Sequence, residues 1–312
     1  MLVEKSVIVV NNITKKFGNF TALDNLSLTI NENTCVGFLG PNGAGKTTLI
    51  KILTGLIRPN IGTVQINGTD VEKNHRVALS QIGAIVETPE FYSYMTPHDI
   101  LSYFGSMRGI PKKVLGEKID NVLKTVRLEE WSRKKIGKFS KGMKQRLALA
   151  SALIHDPSIL ILDEPTTGLD PRGAVEMREI IKSLKNSGKT IFLSSHMLNE
   201  VQEVCDEIAL VDKGKLARHI KISNFDDTNT IKIEIKTLND IDKTQLSQIT
   251  EIDNVDSVNY SSDTLNLSFI GNKEKRAKLL KKLQEVGLEI ISFKTSNEIE
   301  SIYMDNISES VR

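Results

Sequence analysis

The sequence predicts an α/β chain built on a mostly parallel sheet, followed by a smaller α+β unit. Two observations carry this. Three compact, nearly unbroken apolar runs, CVGFLG (35–40), SILILD (158–163) and TIFLSS (190–195), alternate with helical periodicities such as NVLKTVRL and AVEMREIIKSLKN. Strands apolar on both faces belong to parallel sheets covered by helices. From about Ser223 the character changes, and a polar stretch, SNFDDTNT, leads into shorter strands. The expected division is therefore 1–222 and 223–312.

Within the first region, GTVQING (62–68) alternates and ends at Gly, which suits a small antiparallel piece. TPHDIL (96–101) opens a helix by rule: Thr96 caps, Pro97 takes the first helical position, and Asp99 complements the dipole. In the second region IKIEI, LNLSF and LEIISF read as strands, and KRAKLLKKLQEVG as a helix stopped by Gly287. The order strand, helix, strand, strand, helix, strand, with a last helix near 298–306, predicts a small ferredoxin-like α+β domain.

Composition excludes several classes. The 312 residues carry a formal net charge of +2, too near balance to argue for a nucleic-acid partner. Cys35 and Cys205 make no disulfide framework and no metal-ligand spacing, so both read as small apolar fillers of a reducing compartment. No apolar run approaches the roughly 18 residues of a membrane span. MLVEKSVIVV lacks the pattern of an export signal. The expectation is a cytoplasmic chain that would work at a membrane through a partner.

The chemistry lies in two motifs. GPNGAGKTT (40–48) satisfies G-x-x-x-x-G-K-[ST], follows an apolar strand and precedes the helical run LIKILTGL, which is the context of a phosphate-binding P-loop. Gly40, Pro41, Asn42, Gly43, Ala44, Gly45, Lys46, Thr47 and Thr48 form the expected cradle. Gly43 and Gly45 let backbone N–H groups face a β-phosphate, Lys46 brings a charge to β and γ oxygens, and Thr47 is placed to ligate Mg²⁺. ILILDEP (159–165) then puts Asp163 at a strand end, where it would hold Mg²⁺, and Glu164 beside it as the base that polarises water.

FSKGMKQR (139–146) poses a separate question. Ser140 and Gly142 open a helix whose free N–H groups suit an anion, although the chain already owns a phosphate grip. GPNGAGKTT, FSKGMKQR, LILDEP, TTGLDP (166–171) and LSSH (193–196), in this order, resemble an ATP-binding cassette (ABC) ATPase over residues 6–222. The resemblance implies a RecA-like P-loop core, an antiparallel β subdomain, a helical signature subdomain, and ATP with Mg²⁺. It also implies a head-to-tail dimer in which Ser140 and Gly142 cover the nucleotide held by the other subunit. Lys141 and Met143 depart from the commoner leucine-serine-glycine-glycine-glutamine form.

By the same resemblance His196 would contact the γ-phosphate, Asp170 would link the two sites, and Phe17 would stack on adenine. Glu87 stands where most cassettes have Gln; it would still ligate Mg²⁺ and begin the loop near 87–98 that meets a membrane permease. A Glu form followed by aromatics (Phe91, Tyr92, Tyr94, with Met95) is similar to cassettes that export antimicrobial peptides and drugs. Those aromatics fit a partner pocket or a seat under the helical subdomain. The basic run SRKKIGKFSKGMKQR reads as solvated or phosphate-facing, with no nucleic acid implied. The implied function is the ATPase subunit of such an exporter, as a homodimer or a heterodimer, peripheral on the cytoplasmic face. The alternatives are a soluble cassette ATPase acting on ribosomes or DNA, or a cassette serving another transport direction. For residues 223–312 the expectation is regulation or dimer support.

Overall fold

A computed structural model describes residues 5–87, 90–223, 230–261, 264–271 and 273–297. The chain divides into two compact units, Met1–Ile220 and Lys221–Arg312.

The first unit contains two sheets. Strands β1 (Ser6–Phe17), β2 (Phe20–Asn31), β4 (Ile61–Ile66) and β5 (Thr69–Asp70) form an antiparallel sheet in the order β2-β1-β4-β5. The larger sheet runs β10-β9-β3-β8-β7-β6, from Lys215–Lys221, Glu207–Asp212, Cys35–Leu39, Thr190–Ser195, Ile159–Leu162 and Ile82–Ile85. Every residue of β3, β7 and β8 is buried, which is why these segments carry no polar alternation. Their pairings are parallel, with Leu162 beside Leu193 and Leu39 beside Ser195. Both sheets and helix α1 (Lys46–Leu53) contribute to one apolar cluster that includes Ile8, Leu26, Phe38, Leu49, Ile50 and Phe192.

The remaining helices of this unit are α2 (His75–Ser80), α3 (Pro97–Met107), α4 (Lys112–Thr125), α5 (Lys141–Leu153), α6 (Pro171–Asn186) and α7 (Leu198–Val204). Helices α3, α4 and α5 pack on one another, and α5 also packs on β6. Helix α6 buries Met177, Ile180, Ile181 and Leu184, one stripe at 3.6-residue spacing. Burying each such side chain stabilises by about 1.5–3 kcal/mol.

Helix α3 begins as the sequence predicts. Thr96 Oγ1 accepts from the Asp99 N–H at 3.2 Å, and Asp99 Oδ2 accepts from the Thr96 N–H at 2.9 Å. Those two bonds satisfy two groups that a helix start otherwise leaves without partners. The hydrogen bond from the Thr96 side chain, then that from its backbone, hold the Asp99 carboxyl below its ordinary range. Thr96→Ala should therefore lower stability by about 1 kcal/mol in urea unfolding, with Thr96→Ser nearly neutral. An Ala variant as stable as the parent would show that the cap contributes nothing.

The second unit runs β11 (Thr230–Thr237), α8 (Lys243–Thr250), β12 (Val255–Ser261), β13 (Thr264–Ile270), α9 (Lys273–Glu285) and β14 (Ile290–Asn297). Its sheet is antiparallel in the order β12-β13-β11-β14, the arrangement of a ferredoxin-like fold. Ile233, Ile235, Leu265, Leu267 and Phe269 project from the sheet into a core with Ile249, Leu279 and Leu283 of the helices. The helix expected near 298–306 lies outside the described residues.

Candidate functional site

The P-loop joins the end of β3 to α1. Gly43 and Gly45 have φ of +82° and +99°, conformations an L side chain rarely adopts. At Gly45 a Cβ would also sit 2.6 Å from the Ala22 carbonyl oxygen. Asn42 and Gly43 are exposed, Ala44 is buried, and Thr47 and Thr48 are half-buried in the first turn of α1. Lys46 is 5% exposed, and its Nζ donates to the carbonyl oxygens of Gly40 at 2.9 Å and Pro41 at 3.1 Å. The lysine is thus folded over its own loop.

Asp163 and Glu164 follow β7, and the parallel register with β8 sets Ser194 beside them. The fully buried Ser194 hydroxyl donates to Asp163 Oδ1 at 2.7 Å and accepts from the Glu164 N–H at 2.9 Å. Glu164 has φ of +42°. Its Oε1 lies 3.5 Å from Lys46 Nζ; its Oε2 accepts from Thr167 Oγ1 at 2.8 Å and lies 3.2 Å from His196 Nδ1. Burial opposes the charged form of this carboxyl. The Thr167 hydrogen bond and the Lys46 and His196 charges outweigh that effect and hold it below its ordinary value. Neither Ser194 nor Thr167 was singled out in the sequence. Ser194 sits inside LSSH, but its role depends on which strand lies next to β7.

Thr47, Glu87, Asp163, Glu164 and Thr167, with Lys141 and Gln145, line one cavity of about 340 Å³. Among the described residues no three His, Cys, Asp or Glu side chains converge as a metal cage. A hydroxyl and carboxylates around a phosphate-sized space are instead the donor set of a Mg²⁺ shared with phosphates, which keeps few protein ligands. The residues fit that group. Glu87 follows β6 with φ of +63°, and its Oε1 is 2.6 Å from Lys51 Nζ on α1.

The other predicted residues belong to other elements. Ser140 is the N-cap of α5, where its Oγ accepts from the Met143 N–H at 3.2 Å, and Gly142 follows in the first turn. Asp170 caps α6, its Oδ1 accepting from the Gly173 N–H at 2.8 Å. Phe17, at the β1–β2 turn, is 50% exposed, with Lys15 Nζ 5.1 Å from its ring centre. A face open to solvent leaves it free to stack. Tyr92 and Tyr94 are each 66% exposed with rings 5.5 Å apart, so they do not tuck under the helices. Phe91, Glu87 and Glu90 line a second cavity of about 540 Å³ with Phe104, Met107 and Arg108. Cys35 and Cys205 are buried free thiols 3.5 Å apart, and burial pushes the Cys205 thiol up. Among the described residues no helix is long and apolar enough to cross a membrane.

Comparison with known proteins agrees with this geometry. A family profile described as ABC transporter matches residues 23–167. The chain is 43% identical over 236 residues to the ABC transporter ATP-binding protein YhcH of Bacillus subtilis, covering 74% of this chain and 76% of that one. It is 43% identical over 232 residues to the bacitracin transport ATP-binding protein BcrA of Bacillus licheniformis, covering 74% and 75%. Among solved structures, an ATP-binding cassette of an ABC transporter in its ADP conformation aligns with a TM-score of 0.64 at 25% identity. That alignment covers 70% of this chain and 94% of the other. A cassette captured as a dimer after hydrolysis, with ADP and phosphate, aligns with a TM-score of 0.62 at 25% identity, covering 69% and 98%.

Proposed function

Because the chain belongs to the ABC transporter ATP-binding proteins, an ATP-hydrolysing family, we propose that it drives export of a peptide antibiotic or drug through a separate membrane permease. The observation that carries this reading is the 43% identity to a bacitracin transport protein across 232 residues, 74% of the chain. The alternatives, ribosome or DNA work and a different transport direction, have no comparable support.

The reaction is in-line attack of water on the γ-phosphate, and the chain contributes positioning and charge. Phe17 stacks on the base. Lys46, whose Nζ lies over the loop beside the carbonyls of Gly40 and Pro41, gives its charge to the phosphates. Glu164, 3.5 Å from that Nζ, is the base that orients water. His196, already beside Glu164, is placed to meet the γ-phosphate. Thr47, Asp163 and Glu87 would hold Mg²⁺, whose charge would offset that of the phosphates. Ser140 and the Gly142 N–H, far along the chain from Lys46, complete the site of a second copy, with Asp170 at the joint. The loop near 87–98, with its exposed tyrosines, meets the permease on the cytoplasmic face, and residues 223–312 regulate or support the dimer.

The test is susceptibility. Deleting the gene should sensitise the native cell several-fold to bacitracin-type peptides, and a Lys46→Ala copy should fail to restore resistance. Unchanged susceptibility across peptide antibiotics and drugs would overturn the substrate class while leaving the ATPase assignment intact.

A further inference from the structure

Three carboxylates, Glu87, Asp163 and Glu164, border the cavity that also contains the Thr47 hydroxyl. Two are compensated by groups belonging to the site: Asp163 by the Ser194 hydroxyl, Glu164 by Lys46, His196 and Thr167. The third is held from outside it. Lys51, one helical turn beyond Thr47 on α1, meets Glu87 Oε1 at 2.6 Å. Lys51 does not itself line the cavity. The two side chains are 32% and 62% exposed, and pairs so open to water contribute little to stability. Its effect lies in charge placement. A neutral side chain at position 87 would need no counter-charge; a carboxylate there adds a negative group facing incoming phosphates.

We propose that Lys51 is a positioning residue that holds the Glu87 carboxylate away from the phosphates until Mg²⁺ claims it, and so sets how strongly nucleotide binding depends on Mg²⁺. This rests on the reading of the cavity as an Mg-ATP site. The backbone supports such an exchange. The Asp163 N–H donates to the Ile85 carbonyl at 2.9 Å, which anchors the end of β6 two residues before Glu87. Beyond that anchor, Glu87 turns through its left-handed φ with its side chain largely in solvent. The anchor keeps Glu87 at the cavity while its carboxylate remains free to change partner.

The experiment is a double-mutant cycle on the full chain, read by binding of a fluorescent, non-hydrolysable ATP analogue as Mg²⁺ is titrated at constant ionic strength. Lys51→Met should weaken Mg²⁺-free binding about fivefold and lower the Mg²⁺ midpoint about fivefold, as one uncompensated charge several ångströms from a phosphate would. In a Glu87→Gln background the same substitution should move both quantities less than about twofold, because there is no charge left to hold. Lys51→Arg should behave as the parent, and thermal unfolding should differ little among the variants. Equal shifts in both backgrounds would mean that Lys51 acts on the phosphates directly, and no shift in the parent background would mean that it does not act; either overturns the proposal. Absence of Mg²⁺-dependent nucleotide binding in the parent would be a different failure, that of the ATPase reading itself.

Discussion

Glu164→Gln should reduce ATP turnover by about 10²- to 10⁴-fold, the range expected when a general base is lost, while leaving nucleotide binding intact. The substitution is nearly isosteric. A Gln carbonyl oxygen still accepts from Thr167, and the Glu164 N–H still donates to Ser194, since that bond is made by the backbone. What disappears is the charge that faces Lys46 at 3.5 Å and His196 at 3.2 Å. Binding rests on the loop around Lys46, which is untouched. The closed, ATP-filled dimer should therefore accumulate, visible as a larger species by size-exclusion chromatography with ATP. A variant releasing phosphate at near the parent rate would refute the assignment.

The pH behaviour follows from the direction of the Glu164 shift. Burial raises its pKa, but the Thr167 bond and the neighbouring Lys46 and His196 lower it by more, so the net shift is downward. A carboxyl whose folded pKa is depressed contributes stability that is present above its unfolded value and is lost as pH falls through the folded one. At neutral pH it is ionised in the folded and the unfolded parent alike, and because a Gln amide has no proton to lose, raising the pH should not restore Glu164→Gln. A carboxyl held ionised at neutral pH suits the role proposed above, in which it orients and polarises water.

The parts of the site written in consecutive residues were legible in the sequence. Lys46 bonds to carbonyls five and six positions earlier, so the motif contains both partners. The Thr96–Asp99 cap joins residues three positions apart and was equally visible. Contacts made across the sheet were not. Ser194 reaches Asp163 only because β8 lies beside β7 in parallel register, and no periodicity in either strand states that adjacency. Lys51–Glu87 joins a helix to a loop 36 residues on, and the Cys35–Cys205 contact joins β3 to the end of α7. Glu87 illustrates the difference: its unusual identity was evident, but the cation that answers it was not. Ser140 and Asp170 show the converse. Their sequence context pointed to work between subunits, and within one chain each is a satisfied helix cap.

Because each of these caps is satisfied within one chain, any work between subunits has to show when two chains are mixed. Lys46→Ala and Ser140→Arg chains, each inactive alone, should regain ATP turnover when mixed. Lys46→Ala removes the buried cation of the P-loop and leaves Ser140 and Gly142 intact. Ser140→Arg keeps the P-loop and places a long side chain where a neighbour's phosphates would arrive. A mixed dimer then pairs the sound P-loop of one chain with the sound helix start of the other, and its second site carries both defects. Losing the Ser140 cap costs about 1 kcal/mol at the start of α5. That loss leaves the helix in place, since Leu147, Ala150 and Leu153 remain buried. Thermal unfolding of the Arg variant checks this point. If Ser140 were only a cap, Ser140→Arg would retain turnover on its own and mixing would add nothing. If the site were complete within one chain, mixing would recover no turnover at any ratio. Recovered turnover that peaks near equal proportions is the outcome in which a γ-phosphate is held by α1 of one copy and the start of α5 of another.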